Sequence, residues 1–264
     1  MPKIAITGKG GVGKTTLAAL LAHVYAQEGR TVLAIDADPA ASLAYALGFP
    51  KELSDQIVPI AQMEDLILER TGAKPGTVGA YFRLNPKVDD IPDRLSAEYR
   101  GIKLLQLGTI KMGGSGCICP ESALLRNLVT HLLVARDEVV IMDMEAGIEH
   151  LGRGTAGSVD AFLIVVEPNR RSMNTALNIH KLALDIGVPR YYLVGNKIQD
   201  ETDLAFIRES APQIPLIGHL PVDDRVTIAD RDGVPVYDAA PELVVLVREI
   251  AASIETPDIA SLPS

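Results

Sequence analysis

Short apolar runs alternate along the chain with longer stretches in which apolar residues recur at helical spacing. Seven runs rich in leucine or β-branched residues predict buried strands; they span residues 3–7, 31–36, 102–107, 138–143, 160–166, 191–196 and 215–220. After the first run, Leu17, Leu20, Leu21 and Val24 share one helix face, and Gly29 follows as a stop signal. This alternation predicts an α/β fold, with a single doubly wound, mostly parallel sheet and helices on both faces.

The segment from about residue 49 to residue 100 interrupts the alternation. Its prolines and clustered charges predict an irregular helical excursion rather than a second domain. We therefore expect one domain over residues 1–254. Residues 255–264 are rich in proline and serine and predict a flexible tail.

The amino-acid composition limits the kinds of molecule to which the protein can bind. Acidic residues outnumber basic ones by 34 to 25, which argues against the phosphate-tracking surface of a nucleic-acid binder. The sequence contains neither an apolar run of membrane-spanning length nor a cleavable apolar leader before the first predicted strand. We expect a cytoplasmic protein with no membrane and no nucleic acid among its partners.

The first predicted strand leads into a phosphate-binding loop. The motif G-x-x-x-x-G-K-[ST] is satisfied between a strand and a helix by Gly8, Lys9, Gly10, Gly11, Val12, Gly13, Lys14, Thr15 and Thr16. The glycines let backbone N–H groups surround phosphate oxygens, Lys14 reaches the terminal phosphates, and the Thr15 hydroxyl can ligate Mg²⁺. A glycine-rich turn without a ligand is the alternative, which the flanking strand and helix disfavour. The motif predicts a P-loop NTPase.

Carboxylates follow two further predicted strands. Asp36 and Asp38 lie at the carboxyl end of the second strand, where ligands of open α/β sheets bind. Asp38 could instead cap the next helix. The strand that ends at Asp143 has the form of a Walker B motif, whose acid holds Mg²⁺ through water opposite Thr15. Gly147, shortly after it, would let a nucleotide-sensitive switch rearrange.

The second lysine of the loop, Lys9, is the basis of a resemblance to the deviant Walker A ATPases, the family of septum-site, partition and nitrogenase iron-protein ATPases. Their K-G-G-x-G-K-[ST] motif matches residues 9–15 throughout. The resemblance implies a nucleotide-bridged homodimer in which Lys9 reaches the partner's phosphates. It also implies that Asp38 orients the attacking water and that Asp36 lies near Mg²⁺, so that the catalytic residues are Lys9, Lys14 and Asp38. Without that role, Lys9 would be a solvent-exposed lysine.

Residues at the ends of the last two predicted strands are the candidates for binding the base. They are Asn196 and Lys197, which close one strand, and Pro221, Val222 and Asp223, which follow the next. The first pair resembles the family's base-reading pair, in which the asparagine amide hydrogen-bonds the adenine edge, and the second group matches the loop around the base. Either group could be an ordinary turn. Asp200 lies one place beyond the position that reads guanine in Asn-Lys-x-Asp, which favours ATP over GTP.

The two cysteines of the chain, Cys117 and Cys119, precede a predicted helix over residues 120–135. In an extended segment both sulfurs project to one side, and the helix dipole favours a thiolate on Cys119 at the N-cap. Two sulfurs do not complete a tetrahedral or square-planar shell, whereas a two-fold dimer supplies four. The pair therefore predicts a metal site shared across a homodimer, which zinc, nickel or copper(I) would fit. The alternative is two small buried apolar side chains.

Two stretches narrow the resemblance to the maturation ATPases of carbon monoxide dehydrogenase, the CooC-type nickel-insertion proteins, and to their acetyl-CoA synthase counterparts. These stretches are the Cys-x-Cys within residues 116–120 and the run of residues 143–155. The resemblance covers most of the chain. It implies an ATP-dependent homodimer that binds Ni²⁺, or Zn²⁺ in its place, at the shared cysteines. Its client would be apo carbon monoxide dehydrogenase or acetyl-CoA synthase.

Two other functions are alternatives. An electron-transfer ATPase like the nitrogenase iron protein would bridge a four-iron cluster, but those relatives draw each subunit's two cysteines from separate loops. A positioning ATPase of the septum-site or partition type would need, in its membrane form, a basic amphipathic terminal helix. Glu255, Asp258 and the prolines of this tail do not provide one.

Overall fold

The computed structural model describes residues 1–77, 81–108, 119–146 and 153–256, without the side chains of residues 153 and 154. Its strands are β1 (Lys3–Gly8), β2 (Val32–Ala37), β3 (Ala97–Tyr99), β4 (Ile102–Gln106), β5 (Val139–Met144), β6 (Ala161–Val166), β7 (Tyr191–Ile198) and β8 (Leu216–Pro221). They form one sheet in the order β3-β4-β2-β5-β1-β6-β7-β8, in which only the β3–β4 pair is antiparallel. The predicted doubly wound, mostly parallel sheet is confirmed.

Helices connect the strands and cover both faces of the sheet. They are α1 (Lys14–Gln27), α2 (Leu43–Ala46), α3 (Lys51–Ser54), α4 (Glu64–Thr71), α5 (Ile91–Leu95), α6 (Pro120–Val134), α7 (Arg153–Ala156), α8 (Arg170–Ile186), α9 (Glu201–Ser210), α10 (Asp224–Asp232), α11 (Val236–Ala239) and α12 (Pro241–Glu255), with a 3₁₀ turn at Ile60–Gln62. No helix in the described ranges is both long enough and apolar enough to cross a membrane.

Side chains of the central strands alternate between two apolar layers, as expected for a sheet buried on both faces. On β1, Ile4 and Ile6 contribute to the layer that contains apolar residues of α1, α2, α11 and α12. Ala5, between them, contributes to the layer built from α4, α6, α8 and α9. Because β1, β2 and β4 to β8 run in the same direction, the loops that follow them meet at one edge of the sheet.

The irregular segment differs from its prediction in one respect, since it contains a strand. Ala97–Tyr99 pairs with β4 through a two-residue turn at Arg100 and Gly101, both of which have positive φ. Such a turn suits a tight hairpin, because its twist matches that of the flanking strands. The strand has three residues and lies at the sheet edge, so it lacks the apolar run by which the other seven were predicted.

The carboxyl end of the described chain is helical through the first residue of the predicted tail. α12 ends at Glu255, whose carboxylate accepts hydrogen bonds of 2.6 and 2.9 Å from the Arg30 guanidinium. The predicted tail beyond residue 256 lies outside the described residues.

Candidate functional site

The phosphate-binding loop follows β1 with a backbone that excludes side chains at two glycines. A Cβ at Gly8 would lie 2.4 Å from the Val165 carbonyl oxygen, and one at Gly13, where φ is 95°, would lie 2.1 Å from Asn196 Nδ2. Gly13 is also the N-cap of α1. The first backbone N–H groups of a helix have no intrahelical acceptor, so those of α1 are free to bind an anion at this loop.

Lys14 and Thr15 stand at the start of α1 with their functional groups already oriented. Lys14 is buried, and its Nζ lies 4.0 Å from Oδ2 of Asp38. The Thr15 hydroxyl donates a hydrogen bond of 2.6 Å to Oδ2 of Asp143 and lies 3.4 Å from the hydroxyl of Ser42. The structure thus brings together residues that follow β1 and β2 and a residue near the carboxyl end of β5.

Asp143 is the most strongly buried carboxylate of the site. Burial raises its pKa to about 7, and the nearby Asp36 and Asp38 charges add to this, against the opposing effects of the Thr15 hydrogen bond and Lys14. Its Oδ1 is buried and has no hydrogen-bond partner within the described chain. A buried carboxylate oxygen without a donor, beside a threonine hydroxyl, suits a bound Mg²⁺ and its water, because hard cations prefer oxygen ligands.

Asp36 holds the loop between β2 and α2. Its Oδ1 accepts from the Asp38 backbone N–H at 3.2 Å, and its Oδ2 accepts from the Leu43 N–H at 3.0 Å. Burial raises the pKa of Asp36 to about 6, although both N–H groups favour the charged form. The structure therefore assigns Asp36 a role in loop conformation, and its place near Mg²⁺ stays a prediction.

The alternative role for Asp38, capping the next helix, is wrong. That helix, α2, begins at Leu43 and has Ser42 as its N-cap. Asp38 Oδ1 instead accepts from the Ala40 backbone N–H within a tight turn. Its Oδ2 is the oxygen that lies nearest to Lys14, at the mouth of the phosphate-binding loop. This placement leaves Asp38 available for the predicted work on a water molecule.

Asn196 and Lys197 brace the phosphate-binding loop. Asn196 Nδ2 donates to the Val12 carbonyl at 2.7 Å, and its Oδ1 accepts from the Lys197 backbone N–H at 2.9 Å. Lys197 Nζ donates to the Gly11 carbonyl at 3.0 Å and to Glu167 Oε1 at 2.5 Å. Sequence reasoning placed both residues near the base but missed Glu167 as the carboxylate that holds Lys197.

A cavity of about 950 Å³ extends from the phosphate-binding loop to the residues after β8. Of the predicted nucleotide-binding residues, it is lined by Gly10, Gly11, Gly13, Lys14, Thr15, Thr16, Asn196, Lys197, Pro221, Val222 and Asp223. Asp38 also lines it, together with Tyr45, which sequence reasoning missed. The structure thus joins the phosphate and base candidates in one continuous space. Lys9 is half-buried, and its side chain makes no hydrogen bond or ion pair within the described chain.

One of the two cysteines can be placed. Cys119 is the N-cap of α6, as predicted, and its Sγ lies 2.9 Å from the hydroxyl of Ser122. It follows β4, a parallel neighbour of β2, so α6 begins at the same edge of the sheet as the phosphate-binding loop. Cys117 and residues 147–152, which include Gly147 and belong to the diagnostic run of residues 143–155, lie outside the described residues.

Comparison with known proteins decides the family. Residues 3–236 match the family described as the CobQ/CobB/MinD/ParA nucleotide binding domain, CbiA. The chain belongs to this family. Among relatives, the carbon monoxide dehydrogenase accessory protein CooC of Rhodospirillum rubrum is 49% identical to it over 239 residues, which are 90% of each chain.

Two solved structures share the fold of this CobQ/CobB/MinD/ParA family member. A ParA family ATPase from Chlorobium tepidum TLS has a TM-score of 0.69 at 19% identity, with 96% of this chain and 99% of the other covered. The septum site-determining protein MinD from Pyrococcus horikoshii OT3, complexed with Mg-ADP, has a TM-score of 0.65 at 18% identity, with 97% of each chain covered. At these identities the likeness concerns the fold alone.

Family membership confirms the predicted P-loop ATPase. The similarity to CooC confirms the resemblance to the maturation ATPases of carbon monoxide dehydrogenase. The roles of individual residues, the metal and the dimer stay predictions.

Proposed function

We propose that this ATPase is a metallochaperone. In this proposal two chains form a nucleotide-dependent homodimer, bind Ni²⁺, or Zn²⁺ in its place, through Cys117 and Cys119 of both chains, and deliver nickel to apo carbon monoxide dehydrogenase or acetyl-CoA synthase. The observation that carries it is the 49% identity, over nine-tenths of both chains, to a protein named as a carbon monoxide dehydrogenase accessory protein.

The position of Cys119 supports a metal ligand at this edge of the sheet. Cys119 is the N-cap of α6 and therefore lies at the positive end of the helix dipole. Its sulfur lies 2.9 Å from the Ser122 hydroxyl, so a second polar group stands beside the proposed ligand. Since α6 begins at the nucleotide edge of the sheet, a chain that closes on its copy across this edge would bring the two thiol pairs together.

The stoichiometry follows from the number of sulfurs. The chain contains two cysteines, and a transition-metal shell of soft ligands needs four. An isologous two-fold contact presents the same pair twice and completes the shell with thiolates alone. We therefore expect one metal ion for every two chains.

The nucleotide half of the proposal rests on the groups around the phosphate-binding loop. Lys14 binds the terminal phosphates, and Asp38, whose Oδ2 lies 4.0 Å from Lys14 Nζ, orients the attacking water. Thr15 and Asp143 would hold Mg²⁺, which supplies charge neutralisation at the phosphates when bound. Lys9 is free of partners within the described chain and reaches the other chain's phosphates.

Metal content tests the proposal. Protein purified without oxygen is loaded with Ni²⁺ and an ATP analogue that resists hydrolysis, desalted, and analysed for nickel per chain. We expect about one nickel per two chains, and loss of this nickel in Cys119→Ser and in Cys117→Ser/Cys119→Ser. Ile118→Val, which keeps both sulfurs in the same segment, is the matched control and should retain it.

The same preparations discriminate between the candidate functions. Unchanged nickel in the double cysteine variant, which contains no thiol, would overturn the metal site and leave the ATPase intact. Four irons with acid-labile sulfide per two chains would instead support an electron-transfer protein of the nitrogenase iron-protein type. Nickel transfer is then tested with apo carbon monoxide dehydrogenase, whose activity should appear with ATP and not with the resistant analogue.

A further inference from the structure

The short helix α2 presents two different faces. Leu43 and Leu47 are fully buried in the apolar layer that contains α1. Ser42, Tyr45 and Ala46 lie three and four positions apart, so they share another face, and this face lines the nucleotide cavity. Among the described residues that line the cavity, Tyr45 is the only aromatic one, and its side chain is 59% exposed.

α2 is attached firmly to the far wall of the cavity. The Tyr237 hydroxyl of α11 donates a buried hydrogen bond of 2.7 Å to the Leu47 carbonyl. Gly48 lies so close to Pro235 that a Cβ at this glycine would come within 2.1 Å of its ring. These tertiary contacts fix the segment that carries Tyr45, although α2 itself is only four residues long.

The cavity lining combines polar and apolar side chains. Residues at the phosphate-binding loop contribute Lys14, Thr15 and Asp38. α2 contributes Tyr45, and α10 with the residues that follow it contributes the apolar Val226 and Val234 as well as the acidic Asp224 and Asp230. A nucleotide whose phosphates bind at the loop would place its nucleoside within the same cavity.

The hydrogen bonds that Asn196 already makes limit what it can contribute to base recognition. Asn196, the predicted base-reading residue, already donates to the Val12 carbonyl and accepts from the Lys197 N–H. One amide N–H and the remaining lone pair on Oδ1 are left for a base edge. Such a reduced edge contact would gain from a second interaction with the face of the ring.

We propose that Tyr45 stacks on the purine ring of the bound nucleotide and so contributes to the preference for adenine nucleotides over pyrimidine ones. The proposal rests on nucleotide binding at this site and not on the metal or the client. Stacking suits an exposed aromatic ring, because a base face needs no hydrogen-bond partner and a purine offers a larger face than a pyrimidine.

Ligands of graded size test the stacking. Affinities for ADP, UDP and pyrophosphate, each with Mg²⁺, are measured by calorimetry for the parent chain, Tyr45→Phe and Tyr45→Ala. In Tyr45→Ala the affinity for ADP should fall about tenfold, the affinity for UDP should fall less, and that for pyrophosphate should stay within about twofold. Tyr45→Phe keeps the ring and should bind ADP as the parent does. Tyr81→Ala, at a fully exposed tyrosine outside the cavity lining, is the matched control.

Fluorescence gives a second readout, because the chain contains no tryptophan. Tyr45→Trp introduces a single indole, which ADP should quench by stacking and pyrophosphate should not. Tyr81→Trp should respond to neither ligand.

Two outcomes would overturn the proposal. An equal loss of ADP and pyrophosphate affinity in Tyr45→Ala would show that Tyr45 supports the loop rather than the base. Unchanged ADP affinity would show that the ring does not touch the nucleotide. In either case Lys14→Ala should still abolish binding of all three ligands, and nucleotide binding at this site would remain supported. Failure of the parent chain to bind ADP would instead contradict nucleotide binding itself.

Discussion

Burial of the ionised Asp143 carboxylate destabilises the nucleotide-free chain. This side chain is fully buried, its pKa is raised from 3.8 to about 7, and one of its oxygens has no partner in the described structure. The folded state therefore holds a proton on this group over the range from about pH 4 to pH 7, where the unfolded state releases it. Stability falls as the pH rises through this window, because the unfolded chain binds fewer protons.

Asp143→Asn removes this buried charge. Above pH 7 the nucleotide-free variant should be more stable than the parent by about 4 kcal/mol, and the difference should vanish near pH 4, where the native carboxyl is protonated. Stabilisation by Mg²⁺ and ADP should be lost, because the neutral amide is a poor partner for the cation. Thermal unfolding at several pH values measures both effects.

The exposed acid Asp137 provides the control for this pH dependence. Its side chain is 92% exposed, so Asp137→Asn should leave both the pH profile and the response to ADP unchanged. A variant at position 143 that is less stable than the parent at pH 8 would contradict the burial argument.

Gly13 excludes a side chain for two reasons, its positive φ and the close approach of Asn196, and a pair of variants can separate them. Its φ is 95°, and a Cβ would lie 2.1 Å from the Asn196 amide that braces the loop. Gly13→Ala should lower ADP affinity about a hundredfold, because the Asn196 side chain and the phosphate-binding loop cannot both keep their positions beside a Cβ. Calorimetric titration with ADP measures the loss.

Gly29, just beyond the other end of α1, is the matched control. It too has positive φ, but a Cβ there would meet no atom within 4 Å. Gly29→Ala should therefore destabilise the chain by about 1 kcal/mol and leave ADP affinity unchanged. Equal ADP affinities of the two variants would contradict the role of the Asn196 contact.

At the scale of elements, the strands were predictable because each central strand is a run of apolar residues buried on both faces. The edge strand β3 was not, since Ala97–Tyr99 is partly exposed and is held by a turn whose two residues have positive φ. The anchoring of α2 was equally invisible. It depends on Tyr237, which lies 190 positions away in the chain from the carbonyl it binds.

Tyr237→Phe tests this anchor between α11 and α2. Loss of the hydroxyl leaves the buried Leu47 carbonyl without its donor, which should destabilise the chain by about 1 to 2 kcal/mol. ADP affinity should fall about threefold, because the wall that carries Tyr45 is then held less firmly. Chemical denaturation and ADP titration provide the two readouts.

Tyr191→Phe is the matched control for this hydroxyl. The Tyr191 ring packs against His180, and its hydroxyl makes no hydrogen bond within the described chain. This variant should be as stable as the parent. A Tyr237→Phe protein with parental stability would show that the buried hydrogen bond does not hold α2.

For the whole molecule, parallel topology explains why much of the site was predictable. Residues at or just beyond the carboxyl ends of β1, β2, β5, β7 and β8 must meet at one edge of the sheet, whatever the details of packing. The sequence therefore places Lys14, Asp38 and Asn196 near one another. It does not reveal that Lys197 bridges Gly11 and Glu167, or that Tyr45 faces the cavity, because those contacts depend on how separate loops pack.

The central claim is that two chains share one metal through their cysteines when nucleotide is bound. Native mass spectrometry of the protein with Ni²⁺ and a hydrolysis-resistant ATP analogue tests it most directly, since it counts chains, nucleotides and metal in one particle. We expect a particle of two chains, two nucleotides and one nickel, from which the nickel alone disappears in Cys117→Ser/Cys119→Ser. A single chain that carries both nucleotide and nickel, or a dimer that keeps its nickel without the cysteines, would contradict the account.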